Sequence, residues 1–200
     1  MTIFYPGKDN MYINITNKCT CNCDFCVRLQ NDSVMGNDPL WLEHEPSFDE
    51  IKEAFDKITD KEQYKQFVFC GYGEPTVRLD LLLQVAKYIK EQTNAKIRVN
   101  TNGTSDLVYG KKTAPMFSKL IDSISISLNS YSSDSYDELC KPIYENTFDS
   151  IIEFAKEIKD YVPDVRFTVV DVIGKEDIEK CKKIADQVGI NLRVRHYITQ

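Results

Sequence analysis

The 200-residue sequence predicts an α/β fold in which six βα units build a parallel sheet curved into a wide, incomplete barrel. Two observations carry this. Short β-like runs alternate with amphipathic helical runs along the chain, the pattern of βαβ crossovers. The strands are also one-sided, apolar on one face and polar on the other, whereas both faces are apolar in a packed eight-stranded barrel. If helices cover the apolar face, the polar face lines a cavity fit for a polar ligand.

Each element has its own signal. The first strand is placed at 11–16, where Tyr12, Asn14 and Thr16 oppose Ile13 and Ile15. A cysteine-rich loop follows, and then a patternless stretch over 31–46 that contains Asp38-Pro39-Leu40-Trp41. Loops of that length are uncommon in compact domains, and this one suits a lid as well as it suits a plain surface excursion. Ser47-Phe48-Asp49-Glu50 reads as a capping box opening a helix whose stripe is Ile51, Ala54, Phe55 and Ile58. The second strand is placed at 66–70, with Leu82, Val85, Ala86 and Ile89 as the stripe of the next helix. Strand three (96–100) sets Arg98 and Asn100 against Ile97 and Val99. Strand four (122–128) sets Ser123, Ser125 and Ser127 against Ile124, Ile126 and Leu128. A helix with Phe148, Ile151, Ile152 and Ala155, a strand at 165–170, a helix with Ile178, Cys181, Ala185 and Val188, and a strand at 191–197 complete the series. No repeat or low-complexity tract interrupts it, so residues 1–200 are read as one domain.

Composition narrows the classes of function. A net charge of -6 argues against bulk nucleic acid as partner, since such affinity comes from clustered Lys and Arg. No apolar run approaches the roughly 20 residues of a membrane span, and no signal-peptide pattern opens the chain. The expected location is the cytoplasm.

Four of the seven cysteines fall within Cys19-Thr20-Cys21-Asn22-Cys23-Asp24-Phe25-Cys26, directly after the first strand. Disulfide scaffolds spread their cysteines along small secreted chains, whereas a dense cluster in a chain of this size points to metal or redox chemistry. Thiolates are soft ligands for zinc or iron–sulfur clusters. A structural zinc would need a further pair of ligands, but Cys70, Cys140 and Cys181 are isolated and His44 and His196 form no paired motif. Three strong ligands without a fourth suggest a cluster with one iron left open.

The Cys-x3-Cys-x2-Cys loop after a first strand, with an aromatic residue, Phe25, before its last cysteine, resembles the signature of the radical S-adenosylmethionine (radical SAM) superfamily. Within it the chain is most similar to the small TatD-associated radical SAM proteins. The resemblance covers almost the whole length and implies a partial (β/α)6 TIM-like barrel. It implies that Cys19, Cys23 and Cys26 bind an oxygen-sensitive 4Fe-4S cluster whose fourth iron takes S-adenosylmethionine. Reductive cleavage of that cofactor would then give a 5′-deoxyadenosyl radical able to abstract hydrogen from a substrate. An external donor, flavodoxin or ferredoxin, would supply the electron. Cys21 lies outside the family spacing and is read as a free thiol.

The strand-to-helix loop Gly71-Tyr72-Gly73-Glu74-Pro75 looks like the family's Gly-Gly-Glu-Pro motif, with Tyr72 in place of the first glycine. On that likeness Gly73 and Glu74 contact the methionine end of the cofactor. Asn100-Thr101-Asn102-Gly103 reads as a turn, and Asn102, Ser127 and Asn129 are candidates for ribose or carboxylate contacts. The Val170–Gly174 segment resembles the one that packs on adenine. At the last strand, alternation puts Arg193, Arg195 and Tyr197 on one face and His196 on the other, with His196 a further cofactor candidate. Cys70 and Cys181 read as small buried hydrophobes and Cys140 as a helix-end thiol near the cavity mouth. The substrate, small molecule or protein, is not readable from the sequence. Two other readings stand beside the enzyme: a non-catalytic zinc- or iron–sulfur-binding regulator, and an activase that takes hydrogen from a glycine of a partner protein.

Overall fold

Seven strands join in one sheet whose spatial order is the order of the chain. The computed structural model describes residues 1–33 and 36–197. The strands are β1 (Phe4–Pro6), β2 (Asn10–Ile13), β3 (Gln66–Phe69), β4 (Lys96–Thr101), β5 (Ser123–Ser127), β6 (Asp164–Val170) and β7 (Asn191–Arg195). From β2 to β7 every pairing is parallel, as the six units require. β1 is the unanticipated element. It pairs antiparallel with β2, setting Tyr5 against Tyr12, and Gly7 N closes the turn onto Asn10 O at 2.8 Å. Three residues are too few for a periodic signal, and Pro6 is tolerated because the strand lies at the sheet edge.

Among the described residues six α-helices cross over between the strands: α1 (Phe48–Asp56), α2 (Leu79–Gln92), α3 (Ser105–Tyr109), α4 (Ser133–Cys140), α5 (Thr147–Ile158) and α6 (Lys175–Val188). The capping box at the start of α1 is formed in both directions between Ser47 and Glu50. α6 ends where Gly189 takes a left-handed φ of 80°, a conformation that favours glycine. The predicted stripes of α1, α2, α5 and α6 turn to one core with Ile97, Val99, Ile124, Ile126, Phe167 and Val169, all six fully buried.

The opposite face of β4, β5 and β6 is polar, as alternation predicts, and there Arg98, Asn100, Ser125, Ser127 and Arg166 are half-buried. Toward β1 and β2 that polarity fails. Tyr5, Leu40 and Tyr72 form a second buried cluster, with Tyr12 and Val27 packed against it. Leu40 comes from the 31–46 loop, whose Val34 and Met35 lie outside the described residues. The loop is neither a free lid nor a surface excursion: Asn14 Nδ2 donates to Leu40 O at 2.6 Å, and Asn17 bonds both N and O of Leu42. Arg78 holds its far end by donating to Pro46 O and Ile15 O, both at 2.8 Å, while its Nε meets Glu45 at 3.3 Å. These bonds explain why the first strand stops at Ile13 instead of reaching 16, since Asn14 and Thr16 (bonded to Glu45 at 2.7 Å) turn to the loop. The last strand ends at Arg195 instead of 197 because Asp171 captures Tyr197 N at 2.6 Å.

Candidate functional site

The cysteine loop is laced onto its neighbours by backbone bonds. Cys21 forms an antiparallel bridge with Pro142. Asn22 N donates to Cys140 O at 3.0 Å, Asp24 N to Leu139 O at 3.2 Å, and Ile143 N to Thr20 O at 2.9 Å. The loop therefore lies along the C-terminal end of α4. Cys26 N bonds Cys23 O at 3.1 Å, and Cys26 caps a short 3-10 helix, Val27–Leu29. Arg28, in that helix, reaches back to Cys21 O and across to Tyr72 O, both at 3.3 Å. The loop is thus held from the β3 side as well, and Phe25 is half-buried against the main core.

The loop after β3 closes the other wall. Gly73 meets backbone so closely that a Cβ there would lie 2.3 Å from Thr16 O and 2.6 Å from Lys18 O. Glu74 N donates to Lys18 O at 2.8 Å. Glu74 is buried, and its carboxylate accepts from Thr76 N (3.0 Å), Thr76 Oγ1 (2.6 Å), Thr101 Oγ1 (2.7 Å) and Asn102 N (2.6 Å). Burial pushes its pKa up against the pull of those four bonds. Pro75 begins a 3-10 turn that Glu74 caps, a place where proline loses no bond. Glu74 therefore acts as a brace from β3 to β4, turned toward Asn102.

Asn102 carries the brace on to the cysteines. Its Nδ2 donates to Thr20 Oγ1 at 2.7 Å and lies 3.5 Å from Cys21 Sγ and 3.9 Å from Cys19 Sγ. Its Oδ1 accepts from Thr104 N (3.1 Å) and Thr104 Oγ1 (2.8 Å), and the Thr104 hydroxyl lies 2.8 Å from that of Thr20. Gly103 takes φ 80° and passes so close to β5 and α5 that a Cβ would meet Ile126 at 2.9 Å and Ile151 at 3.2 Å.

Four thiols and a phenol share this wall. Cys21 Sγ is 3.6 Å from the buried Tyr136 hydroxyl, and Cys23 and Cys140 lie on the same wall. Burial first, and the Glu74 carboxylate second, push the Cys19 thiol up to about 12. Cys21 is raised chiefly by its bond with Cys23 and by burial, and Cys23 chiefly by its bond with Cys140. Thiols so placed give up their protons only to a positive centre, which suits a metal cluster. Among the described residues no three His, Cys, Asp or Glu side chains converge as ligands of a single ion. An iron–sulfur cluster, taking one thiolate per iron, does not ask for that convergence.

Of the other predicted residues, Asn129 is buried in a left-handed turn (φ 57°) just past β5. Its Nδ2 is 3.8 Å from Cys140 Sγ, and its Oδ1 has no hydrogen-bond partner among the described residues. Ser127 is half-buried at the end of β5, opposite Thr168. His196 stands apart, with a side chain 95% exposed and Nδ1 2.7 Å from Asp171 Oδ2. Thr20, Thr101, Thr104 and Tyr136 were missed, because single hydroxyls beside strand ends carry no periodic signal. Cys140, read as a helix-end thiol, is the last residue of α4 and also lies against the cysteine loop.

Over residues 13–188 the chain matches the radical SAM superfamily. It belongs to that superfamily. Members are enzymes, and the family implies a 4Fe-4S cluster and S-adenosylmethionine. One relative, 27% identical, is a putative glycyl-radical enzyme activating enzyme of Methanocaldococcus jannaschii, aligned over 91% of this chain and 70% of its own length. Another, 26% identical, is the 7,8-dihydro-6-hydroxymethylpterin dimethyltransferase of the same organism, over 82% of this chain and 37% of that protein. Among solved structures, methylornithine synthase (PylB) superposes with TM-score 0.63 at 14% identity, over 96% of this chain and 54% of its own. Streptococcus suis SuiB bound to S-adenosylmethionine gives TM-score 0.62 at 20% identity, over 94% and 38%. The radical SAM chain thus spans about half or less of these solved neighbours, and it shares their partial TIM-like barrel. No helix among its described residues is long and apolar enough to cross a membrane.

Proposed function

We propose that this protein is a radical SAM enzyme whose Cys19, Cys23 and Cys26 hold a 4Fe-4S cluster, within a core domain formed by residues 1–200. The supporting observation is the polar chain Glu74–Asn102–Thr20, which ties the loops after β3 and β4 to the cysteine loop and aims amide donors at sulfur. A 4Fe-4S cluster held by Cys19, Cys23 and Cys26 would supply the electron for reductive cleavage of S-adenosylmethionine to a 5′-deoxyadenosyl radical, which would take hydrogen from a substrate. The residues of this chain do the positioning. The Asn102 amide donates toward sulfur, and Gly73 lets the loop after β3 pack against the backbone that leads into the cysteine loop. Asn129, Ser127 and Phe25 contribute the remaining cofactor contacts. Glu74 holds Asn102 in place through Oε2 and, with Gly73, contacts the methionine end of the cofactor. An external reductant, flavodoxin or ferredoxin, is required. The activating-enzyme relative supports a second reading, hydrogen abstraction from a glycine of a partner protein.

The test is anaerobic reconstitution with iron and sulfide, then reduction with dithionite in the presence of S-adenosylmethionine. The expected result is 5′-deoxyadenosine from wild type and none from Cys23→Ala. A protein that retains zinc, takes up no iron and makes no deoxyadenosine would be a metal-binding module instead.

A further inference from the structure

The concave face of the sheet holds positive charge that the site above does not use. Register places Arg98 beside Ser123, Arg166 beside Ser125, Arg193 beside Thr168 and Arg195 beside Val170. All four arginines therefore share the serine face, opposite Ile97, Ile124, Ile126 and Phe167. Among the strand residues of this face from β2 to β7 there is one carboxylate, Asp164, and it is ion-paired with Arg166. Among the described residues the other three guanidinium groups have no ion-pair partner, in a protein of net charge -6. Arginine does not lose its proton under ordinary conditions, so this charge is permanent.

Two further observations point to a missing partner. Arg98 Nε and Ser123 Oγ are buried, are neighbours in register, and have no hydrogen-bond partner among the described residues. Buried polar groups are nearly always satisfied, and an exception calls for a ligand or water. At the β7 side the Arg195 guanidinium, although part of its side chain is exposed, is pushed below its ordinary value by desolvation. The Cys70 thiol opposes that shift and Arg193 adds to it. Cys70 follows β3, so Arg195 faces the interior from the far side of the sheet.

We propose that the interior between β4 and β7 binds a compact dianion carried by a small-molecule substrate, a phosphoryl group or a pair of carboxylates, with Arg98, Arg193 and Arg195 as its ligands. Planar N–H forks match both kinds of oxyanion. Three cations are more than the single carboxylate of S-adenosylmethionine calls for. This inference rests on the reading that substrate enters the barrel, and it favours a small molecule over a glycine of a partner protein.

The test is calorimetric titration of the full-length protein, without S-adenosylmethionine, with inorganic phosphate and separately with malonate, at matched ionic strength set by chloride. Wild type is compared with the Arg193→Gln/Arg195→Gln double variant, whose changes lie on exposed positions of an edge strand, and with Arg98→Lys, which keeps the charge. Wild type should bind at least one probe with a dissociation constant in the millimolar range or below. The double variant should weaken that binding at least tenfold, and Arg98→Lys by less. Failure of wild type to bind either probe, or equal binding by the double variant, overturns the proposal. In a parallel dialysis with S-adenosylmethionine on reconstituted protein, a tenfold loss of cofactor affinity with phosphate and malonate binding intact would assign the arginines to the cofactor and also overturn it. Formation of 5′-deoxyadenosine by wild type is scored separately, so failure of the anion site is distinguishable from failure of the radical chemistry.

Discussion

Truncating Asn102 to alanine tests the hydrogen-bond network at the centre of the site. The side chain donates to Thr20 Oγ1 at 2.7 Å and accepts from the backbone and hydroxyl of Thr104 at 3.1 and 2.8 Å. These partners do not lose equally. The hydroxyls of Thr20 and Thr104 lie 2.8 Å apart and keep each other. The N–H of the fully buried Thr104 has no such fallback. A buried donor left unmade costs about 1–3 kcal/mol, so Asn102→Ala should cost about 2 kcal/mol. At roughly 2–4 °C per kcal/mol for a chain of this size, Tm should fall by about 4–8 °C. Asn102→Ser separates the contributions, because a serine hydroxyl can accept from the N–H two residues on while losing the reach to Thr20 and the thiols. It should recover most of the loss. Melting curves followed by circular dichroism on anaerobically purified protein measure both. An alanine variant melting within about 1 °C of wild type, or a serine variant as unstable as alanine, would refute the reasoning.

Three other perturbations follow from the same geometry. Glu74 has a raised pKa, so its contribution to stability is fully present below the pH at which an unfolded-chain glutamate titrates, and is lost as pH rises through the folded value. Glu74→Gln cannot titrate, so its stability relative to wild type should rise across that window by at most about 1.4 kcal/mol per pH unit; urea titrations at stepped pH with a constant difference would reject this. Gly73→Ala drives a Cβ into two backbone carbonyls that cannot rotate away, and should cost about 3 kcal/mol or more in urea unfolding. A midpoint unchanged from wild type would show that the two loops are not in contact. His196→Ala removes an exposed ring whose one partner is Asp171 and should leave both Tm and iron uptake unchanged; reduced iron uptake would return His196 to the site.

Much of this was readable from the chain, and what was not has physical reasons. Parallel strands with one apolar face print that face on the sequence, so the six βα units could be placed with errors confined to their ends. The Ser47 capping box and the cysteine spacing are local patterns of a few residues, and both could be read directly. The failures concern contacts between segments far apart in the chain. Nothing near Leu40 says that it will fill the cavity beside Tyr5, because that depends on Asn14 holding its carbonyl. Glu74 was read as a ligand contact because its loop resembles a cofactor motif, and its bonds to Thr76, Thr101 and Asn102 were not readable there. His196 was kept as a candidate on its position near a strand end, and its contact with Asp171 was likewise not readable there.

The agreement between strand order and chain order bears on how the protein is made. Each strand from β2 onward pairs with the one synthesised just before it, so the sheet can extend one strand at a time as the chain emerges, each step closing a single crossover. The cysteine segment is then available early, while the residues that enclose it arrive later and in sequence: Glu74, then Asn102, then Cys140 with α4. A cluster delivered during synthesis would meet thiols that are still accessible, and the wall would close around it. Cys19, Cys23 and Cys26 stay part-exposed once that wall is in place, so delivery after folding can reach them too.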